Sequence, residues 1–275
     1  MNNKFAVNSN SYHGFSLEEA LNGIAAAGFK YVELTGVRGW TEHVRADMTE
    51  AEIKGVLDKM AALGLTAISL SGHCNLMEEE RLKDFEANIE LAAKLGCTYI
   101  ISSTGEAHFG ENESFADDVL VKNIKRIVPV LEKNKVALVL EVHGEYGTGE
   151  SLYNITKAVN SPYVGVNYDT ANVVYYGKKY PQEEIKSCAA GVKYVHLKDK
   201  GGEMGEWNFP AIGSGDLKLK EFMDYMDSVN YEGPYSIEIE YTEDFTMRDK
   251  KPGDIDVANK AVKDSYNYLK SIGRV

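Results

Sequence analysis

The sequence is short of cysteine. Its three, Cys74, Cys97 and Cys188, are odd in number and include no CxxC pair, which excludes a disulfide framework and a thiolate zinc site. A local cluster of lysine and arginine is also missing. With 30 basic against 42 acidic side chains and a net charge of −12, the chain would repel a phosphate backbone, so nucleic acid is not an expected partner. No stretch approaches the roughly 18 consecutive apolar residues of a membrane span. The opening segment MNNKFAVNSN lacks a basic stretch followed by an apolar one, so the expected location is the cytoplasm, away from any membrane. Pro- or Ser-rich linkers and low-complexity runs are absent as well. The 275 residues, 44% of them hydrophobic, are therefore expected to form a single domain over 1–275 around one large core.

What the chain does contain is an alternation of short β-branched or aromatic runs with helical patterns, the signature of βαβ units and a parallel sheet. Strands are expected near 4–8, 30–34, 66–71, 98–103, 137–142, 164–168, 193–197 and 235–239. Ser16 with Glu19, and Thr49 with Glu52, have the spacing of capping boxes that open the first two helices, and Gly28 closes the first. Further helices are expected over 78–95, 114–134, 149–160, 181–190, 217–229 and 254–272 from their apolar spacing. Eight strand and helix pairs in a chain of this length match an α/β fold of the (β/α)8 TIM-barrel type. A doubly wound open sheet usually carries a Gly-rich phosphate turn after its first strand, and NSNSYHG is not one.

In such a barrel the active site is built from the C-terminal ends of the strands and the loops that follow them. Asn8 and His13 end or follow strand one, Glu33 lies near the end of strand two, His73 follows strand three, and Glu106 and His108 follow strand four. Glu141 and His143 mark the end of strand five, Asp169 follows strand six, His196 ends strand seven and Glu238 ends strand eight. All six histidines, His43 included, fall at strand ends or in the loops after them, which points to a polar pocket on one face. Glu141, Asp169, His196 and Glu238 come from consecutive strands, five to eight, and in a closed barrel converge on one side of the mouth. Three carboxylates and one imidazole make a hard site for one divalent ion, with Mn2+ preferred and Mg2+ or Co2+ as options. His13, Glu33, His73 and His108 are expected to shape the pocket through contacts to substrate hydroxyls. Trp40 and Trp207 offer aromatic faces, and KDKGGEMGEWNFPAIGSGD is a candidate lid.

The segments LVLEVHGE around Glu141, VGVNYDTAN around Asp169, KYVHLKD around His196, AIGSGDL around Asp216 and GPYSIEIEY around Glu238 resemble the xylose-isomerase-like superfamily of sugar phosphate isomerases and epimerases. Its members include ketose 3-epimerases, inosose dehydratases and the endonuclease IV group. The resemblance implies a TIM barrel in which Glu141, Asp169, His196 and Glu238 bind one divalent metal. Strand alternation cannot choose between Glu238 and Glu240. The family register, counted from Gly233 and Pro234, favours Glu238, with Glu240 as the second candidate. Asn172 stands where many relatives carry a histidine, which removes a ligand or substrate contact and argues against a multi-zinc site. Lys198, in HLKD, stands near where some ketose epimerases have an arginine, and is a candidate substrate contact or a partner for Asp199 or Asp216.

The function expected from these residues is a metal-dependent sugar isomerase or epimerase that transfers a proton next to a carbonyl through an enediolate, with Glu141 and Glu238 as base and acid. The alternative is a lyase on keto-sugars, similar to inosose dehydratases or to enzymes that cleave oxidised C-glycosides, with His143 as general base. A non-enzymatic sugar-binding barrel conflicts with the complete ligand quartet. The expected partner is a small sugar or keto-sugar, unphosphorylated because no Walker-type or clustered basic phosphate site is present. The chain pairs as a homo-oligomer or with a partner subunit if it follows its relatives.

Overall fold

The computed structural model describes residues 4–105, 116–242 and 254–275. Its strands are β1 (Phe5–Asn8), β2 (Tyr31–Thr35), β3 (Thr66–Ser71), β4 (Tyr99–Ser102), β5 (Ala137–Glu141), β6 (Val164–Asp169), β7 (Val192–Leu197), β8 (Asn208–Phe209), β9 (Tyr235–Ile237) and β10 (Tyr241–Thr242). Strands β1 to β7 and β9 close a parallel barrel in sequence order, with β9 pairing back onto β1, and β8 and β10 form a separate antiparallel ribbon. The helices are α1 (Leu17–Ala27), α2 (Glu50–Ala62), α3 (Leu82–Lys94), α4 (Asp117–Asn134), α5 (Gly149–Val159), α6 (Asn172–Tyr175), α7 (Pro181–Glu184), α8 (Leu219–Ser228) and α9 (Ile255–Ser271). This is the (β/α)8 architecture expected from the alternation.

Local chemistry sets the helix ends. Ser16 and Thr49 each accept the backbone N–H three residues on while Glu19 and Glu52 bond back to them, so both capping boxes form. Gly28 takes a left-handed φ of 110° at the end of α1, a conformation that glycine adopts without a Cβ penalty. On α4 the buried residues Leu120, Ile124, Ile127 and Leu131 recur at helical spacing and seat the helix on the sheet.

Inside the barrel, Ala6, Ile68, Ile101, Val139 and Tyr194 form a small apolar cluster separate from the large core between strands and helices. Two residues further along three of these strands come Asn8, Glu141 and His196, all buried. Strand alternation therefore stacks a polar layer on an apolar floor. The ladders shift register at two places, between Val32 and Glu33 where β2 meets β3, and between Val166 and Asn167 where β6 meets β7.

Two expectations need correction. The eighth barrel strand stops at Ile237 rather than 239. Beyond it the Ile239 N–H donates to Ser11 Oγ and the Glu240 N–H to the Phe209 carbonyl, so the chain leaves the ladder for contacts with distant segments. The helix expected over 181–190 breaks into α7 and two 3-10 turns, Ile185–Ser187 and Ala189–Gly191. There Glu184 turns inward to accept the Glu150 N–H at 2.9 Å, and Cys188 is buried at a φ of −132° that no α-helix contains. The Gly-rich segment after β7 is anchored, because buried Asp199 accepts the backbone N–H groups of Lys200, Gly213, Gly215 and Leu217. Among the described residues, no helix is long and apolar enough to cross a membrane.

Candidate metal centre and pocket

Glu141, Asp169, His196 and Glu238 converge at the barrel mouth, each offering one ligand atom, with these atoms all within 4.8 Å of one another. Register brings them together: Asp169 lies beside His196 across β6 and β7, and Glu141 pairs with Asn167 across β5 and β6. His196 Nδ1 is the centre of the group, 3.3 Å from Glu141 Oε1, 3.5 Å from Glu238 Oε2 and 3.9 Å from Asp169 Oδ2.

Each carboxylate has one oxygen held by the protein and one turned inward. Asp169 Oδ1 accepts the N–H groups of Ala171 and Asn172, both at 2.8 Å, at the start of α6. Glu238 Oε1 accepts from Asn8 Nδ2 at 2.9 Å. Glu141 Oε2 faces His73 Nε2 at 3.1 Å. Because His73 Nδ1 accepts the Ser103 N–H at 2.9 Å, the proton of a neutral His73 sits on Nε2 and is donated to Glu141. Asp169 Oδ2 is buried without a hydrogen bond, and His196 Nδ1 and Lys198 Nζ each stand 3.9 Å from it. A buried carboxylate oxygen left without a donor is costly, and it points into the same small volume as the other inward atoms. This donor set fits a divalent cation of the hard, oxygen-preferring kind.

In the metal-free chain these groups compete for protons. Burial pushes the Asp169 carboxyl up to about 7, opposed by Lys198 and reinforced by Glu238 and Glu141. Burial also works against charge on His196, but the Glu33, Glu238 and Glu141 carboxylates hold its pKa well above the ordinary histidine value. For Glu141, burial is outweighed by His196 and His73, which keep it well below the usual carboxylate range. A cation must therefore displace protons from Asp169 and His196, so its affinity should climb steeply as pH rises toward 7 and go on climbing above it while His196 still holds its proton. Titrations of Mn2+ at several pH values between 5 and 8 test this, and an affinity independent of pH would contradict it.

Above the cluster lies a cavity of about 390 Å³, its open mouth included, lined by Trp40, His73, Glu141, His143, Asn172, Tyr176, Lys198, Trp207, Glu238 and Glu240. The Lys198 ammonium is buried, 3.3 Å from Glu238 Oε2, paired with Glu240 Oε2 and 4.5 Å from the centre of the Phe209 ring. Glu238 thus belongs to the cluster while Glu240 is committed to Lys198, a distinction that alternation alone could not make. Burial lowers the His143 pKa to about 4, so its ring is neutral at pH 7, with Nε2 at 3.1 Å from the Tyr176 hydroxyl. Asn172 Nδ2 donates to Glu141 Oε1 at 3.3 Å.

Two of the expected pocket residues lie elsewhere. His13 stacks behind Trp40, ring centres 4.1 Å apart, and bonds Thr41 Oγ1 at 2.6 Å. Glu33 is fully buried, outside the cavity wall and beneath His196. Glu106 and His108 fall outside the described residues. Asn8 was legible as a polar strand end, whereas Tyr176 carried no sequence signal beyond its place after β6.

A closed parallel barrel with carboxylates and a histidine gathered at its C-terminal mouth has its polar groups where TIM barrels build their sites. The chain belongs to the xylose isomerase-like TIM barrel family, whose model matches residues 21–272. No curated protein matches the sequence. Solved structures similar to this chain include a xylose isomerase domain protein from Planctomyces limnophilus, with 19% identity, a TM-score of 0.75 and coverage of 99% of this chain and 98% of that one. Another is a D-psicose 3-epimerase determined in the presence of D-fructose, with 15% identity, a TM-score of 0.79 and coverage of 99% and 100%. A third is a xylose isomerase-like TIM barrel protein from Mycobacterium smegmatis in complex with magnesium, with 15% identity, a TM-score of 0.76 and coverage of 99% and 97%. At these identities the likeness is one of fold.

Proposed function

We propose that this protein is a divalent-metal-dependent sugar isomerase or epimerase that moves a proton at the carbon next to a carbonyl. The observation that carries the reading is Asp169 Oδ2, buried and without a donor, turned toward His196 Nδ1 beside Glu141 and Glu238 at the floor of an open cavity. Glu141, Asp169, His196 and Glu238 would hold the ion, Mn2+ in preference to Mg2+ or Co2+. When bound, it supplies Lewis-acid polarisation of the carbonyl and stabilises the charge of an enediolate.

The chain's own residues supply the rest. Glu141 and Glu238 reach the floor from strands separated by β6 and β7, so one removes a proton from one side of the substrate while the other returns it from the opposite side. His73 and Asn8 keep the two carboxylates oriented. Trp40 and Trp207 wall the cavity with aromatic surface. Lys198 is the one lysine or arginine among the described lining residues, and it is already committed to carboxylates. An anionic phosphate group therefore finds no counter-charge there, which favours an unphosphorylated sugar.

A ketose panel incubated in deuterated water with Mn2+ tests the reading. Deuterium should enter the carbon beside the carbonyl with wild type and not with Glu141→Gln. Conversion without such exchange would exclude proton transfer to and from solvent-exchangeable groups.

One observation supports the second reading, a keto-sugar lyase: neutral His143 lines the cavity beside Tyr176 and would accept a proton during elimination. Under the isomerase reading, His143→Ala loses only part of its turnover and keeps its metal. Complete inactivity with metal retained, or an unsaturated product, would favour the lyase.

A further inference from the structure

We propose that Glu33 is a positioning residue for the metal, fixing His196 in the one tautomer whose Nδ1 lone pair can reach the ion; this rests on the metal-site reading above. His196 is fully buried and both ring nitrogens face carboxylates. Nδ1 faces Glu141, Asp169 and Glu238, while Nε2 lies 3.0 Å from Glu33 Oε1 and 3.2 Å from Oε2. A neutral imidazole carries one N–H. If Nδ1 gives its lone pair to a metal, that N–H must sit on Nε2, and Glu33 is its acceptor. A carboxylate behind a ligating histidine raises the basicity of the ring and fixes its orientation.

Glu33 is itself held. Its Oε2 accepts from the Tyr194 hydroxyl at 2.8 Å and from Ser69 Oγ at 3.4 Å, and those two hydroxyls are 2.6 Å apart. Among the described residues its ion-pair partner is His196 alone. A fully buried carboxylate with no lysine or arginine beside it is expensive for the fold, and it is compensated if the ring it holds passes on the charge of a bound cation. The two register shifts of the barrel fall on this network. The first separates Val32 from Glu33 and pairs Glu33 with Ser69, and the second pairs Asn167 with Tyr194. Bulges re-aim side chains next to functional sites, and here both aim a member of the Glu33 cluster into the barrel under His196.

The test is Mn2+ affinity of the full chain, measured by competition with a chelator at fixed pH, for wild type, Glu33→Gln and Tyr194→Phe, with the visible spectrum of the Co2+ form as a second readout. Glu33→Gln keeps the shape and removes the charge. It should weaken Mn2+ about 10- to 100-fold and shift the Co2+ bands, with the far-UV circular dichroism of wild type. Tyr194→Phe, which loosens Glu33 without removing it, should weaken Mn2+ in the same direction by less. Wild-type affinity in a folded Glu33→Gln protein would overturn the inference while leaving the metal site intact. If Glu33→Gln does not fold, wild-type affinity in Tyr194→Phe overturns it instead. A wild type that binds no Mn2+ would remove the metal site and this inference together.

Discussion

Turnover in the Glu141→Gln and Glu238→Gln variants is expected to fall by roughly 10²- to 10⁴-fold, the contribution of a positioned acid or base. The substitution nearly preserves volume, so the loss should come without unfolding. At Glu141 the exchange is particularly damaging. Oε2 faces the donor His73 Nε2 at 3.1 Å and Oε1 faces Asn172 Nδ2 and His196 Nδ1, both at 3.3 Å. A carboxamide has one acceptor oxygen for these neighbours, and its NH2 must turn toward a donor whichever way it is placed. At Glu238 the Asn8 contact at 2.9 Å can survive through the amide oxygen, but the charge facing His196 Nδ1 is gone. Rates measured on a responsive ketose, with circular dichroism as a fold control, decide the matter. Near-normal turnover in both variants would remove these two residues from the acid–base roles.

The second large effect concerns stability and its dependence on metal. Lys198→Met should destabilise the metal-free protein by about 3–5 kcal/mol, the cost of leaving buried charges without their partner. Lys198 is buried, within 3.3 Å of Glu238 and 3.9 Å of Asp169, and also paired with Glu240. Protonation relieves part of the strain. Burial already raises Asp169 to about 7 and also raises Glu240. A carboxyl whose folded pKa lies above its unfolded value takes up a proton on folding, so its contribution to stability falls as pH rises from about 4 toward 7. The penalty should therefore be smaller at pH 5 than at pH 8. A divalent ion replaces the lost positive charge, so the stabilisation on adding Mn2+ should be larger in the variant than in wild type. Denaturant unfolding with and without Mn2+ measures both quantities. Equal stability of the two metal-free proteins at pH 8 would contradict the central electrostatic role given to Lys198.

Much of this was legible in the sequence because barrel strands announce themselves locally. KYVEL, ALVLEV and KYVHL are short runs of valine, leucine and tyrosine, and the polar residue next to the end of each sits where a barrel builds its site. The Glu141, Asp169, His196 and Glu238 group could be assembled from strand ends alone, since in a closed barrel consecutive strands must be neighbours. Features that depend on distant partners were not readable in this way. The end of the last barrel strand is set by Ser11 and Phe209, which draw the Ile239 and Glu240 N–H groups off the ladder. The fracture of the helix expected over 181–190 follows from Glu184 capping α5. Glu33 was visible as a strand-end carboxylate, but its position beneath His196 depends on a bulge that leaves no mark in composition. Glu238 and Glu240 share a strand parity and both pair with Lys198, and only the approach of Glu238 Oε2 to His196 Nδ1, at 3.5 Å, tells them apart.

The most direct test is the metal content of the purified protein after loading with Mn2+, for wild type beside Asp169→Asn and His196→Ala, determined by elemental analysis. One ion per chain in wild type, lost in both folded variants, is the predicted result. A wild-type protein that retains no divalent ion under any loading condition would contradict the metal site at the mouth of this barrel.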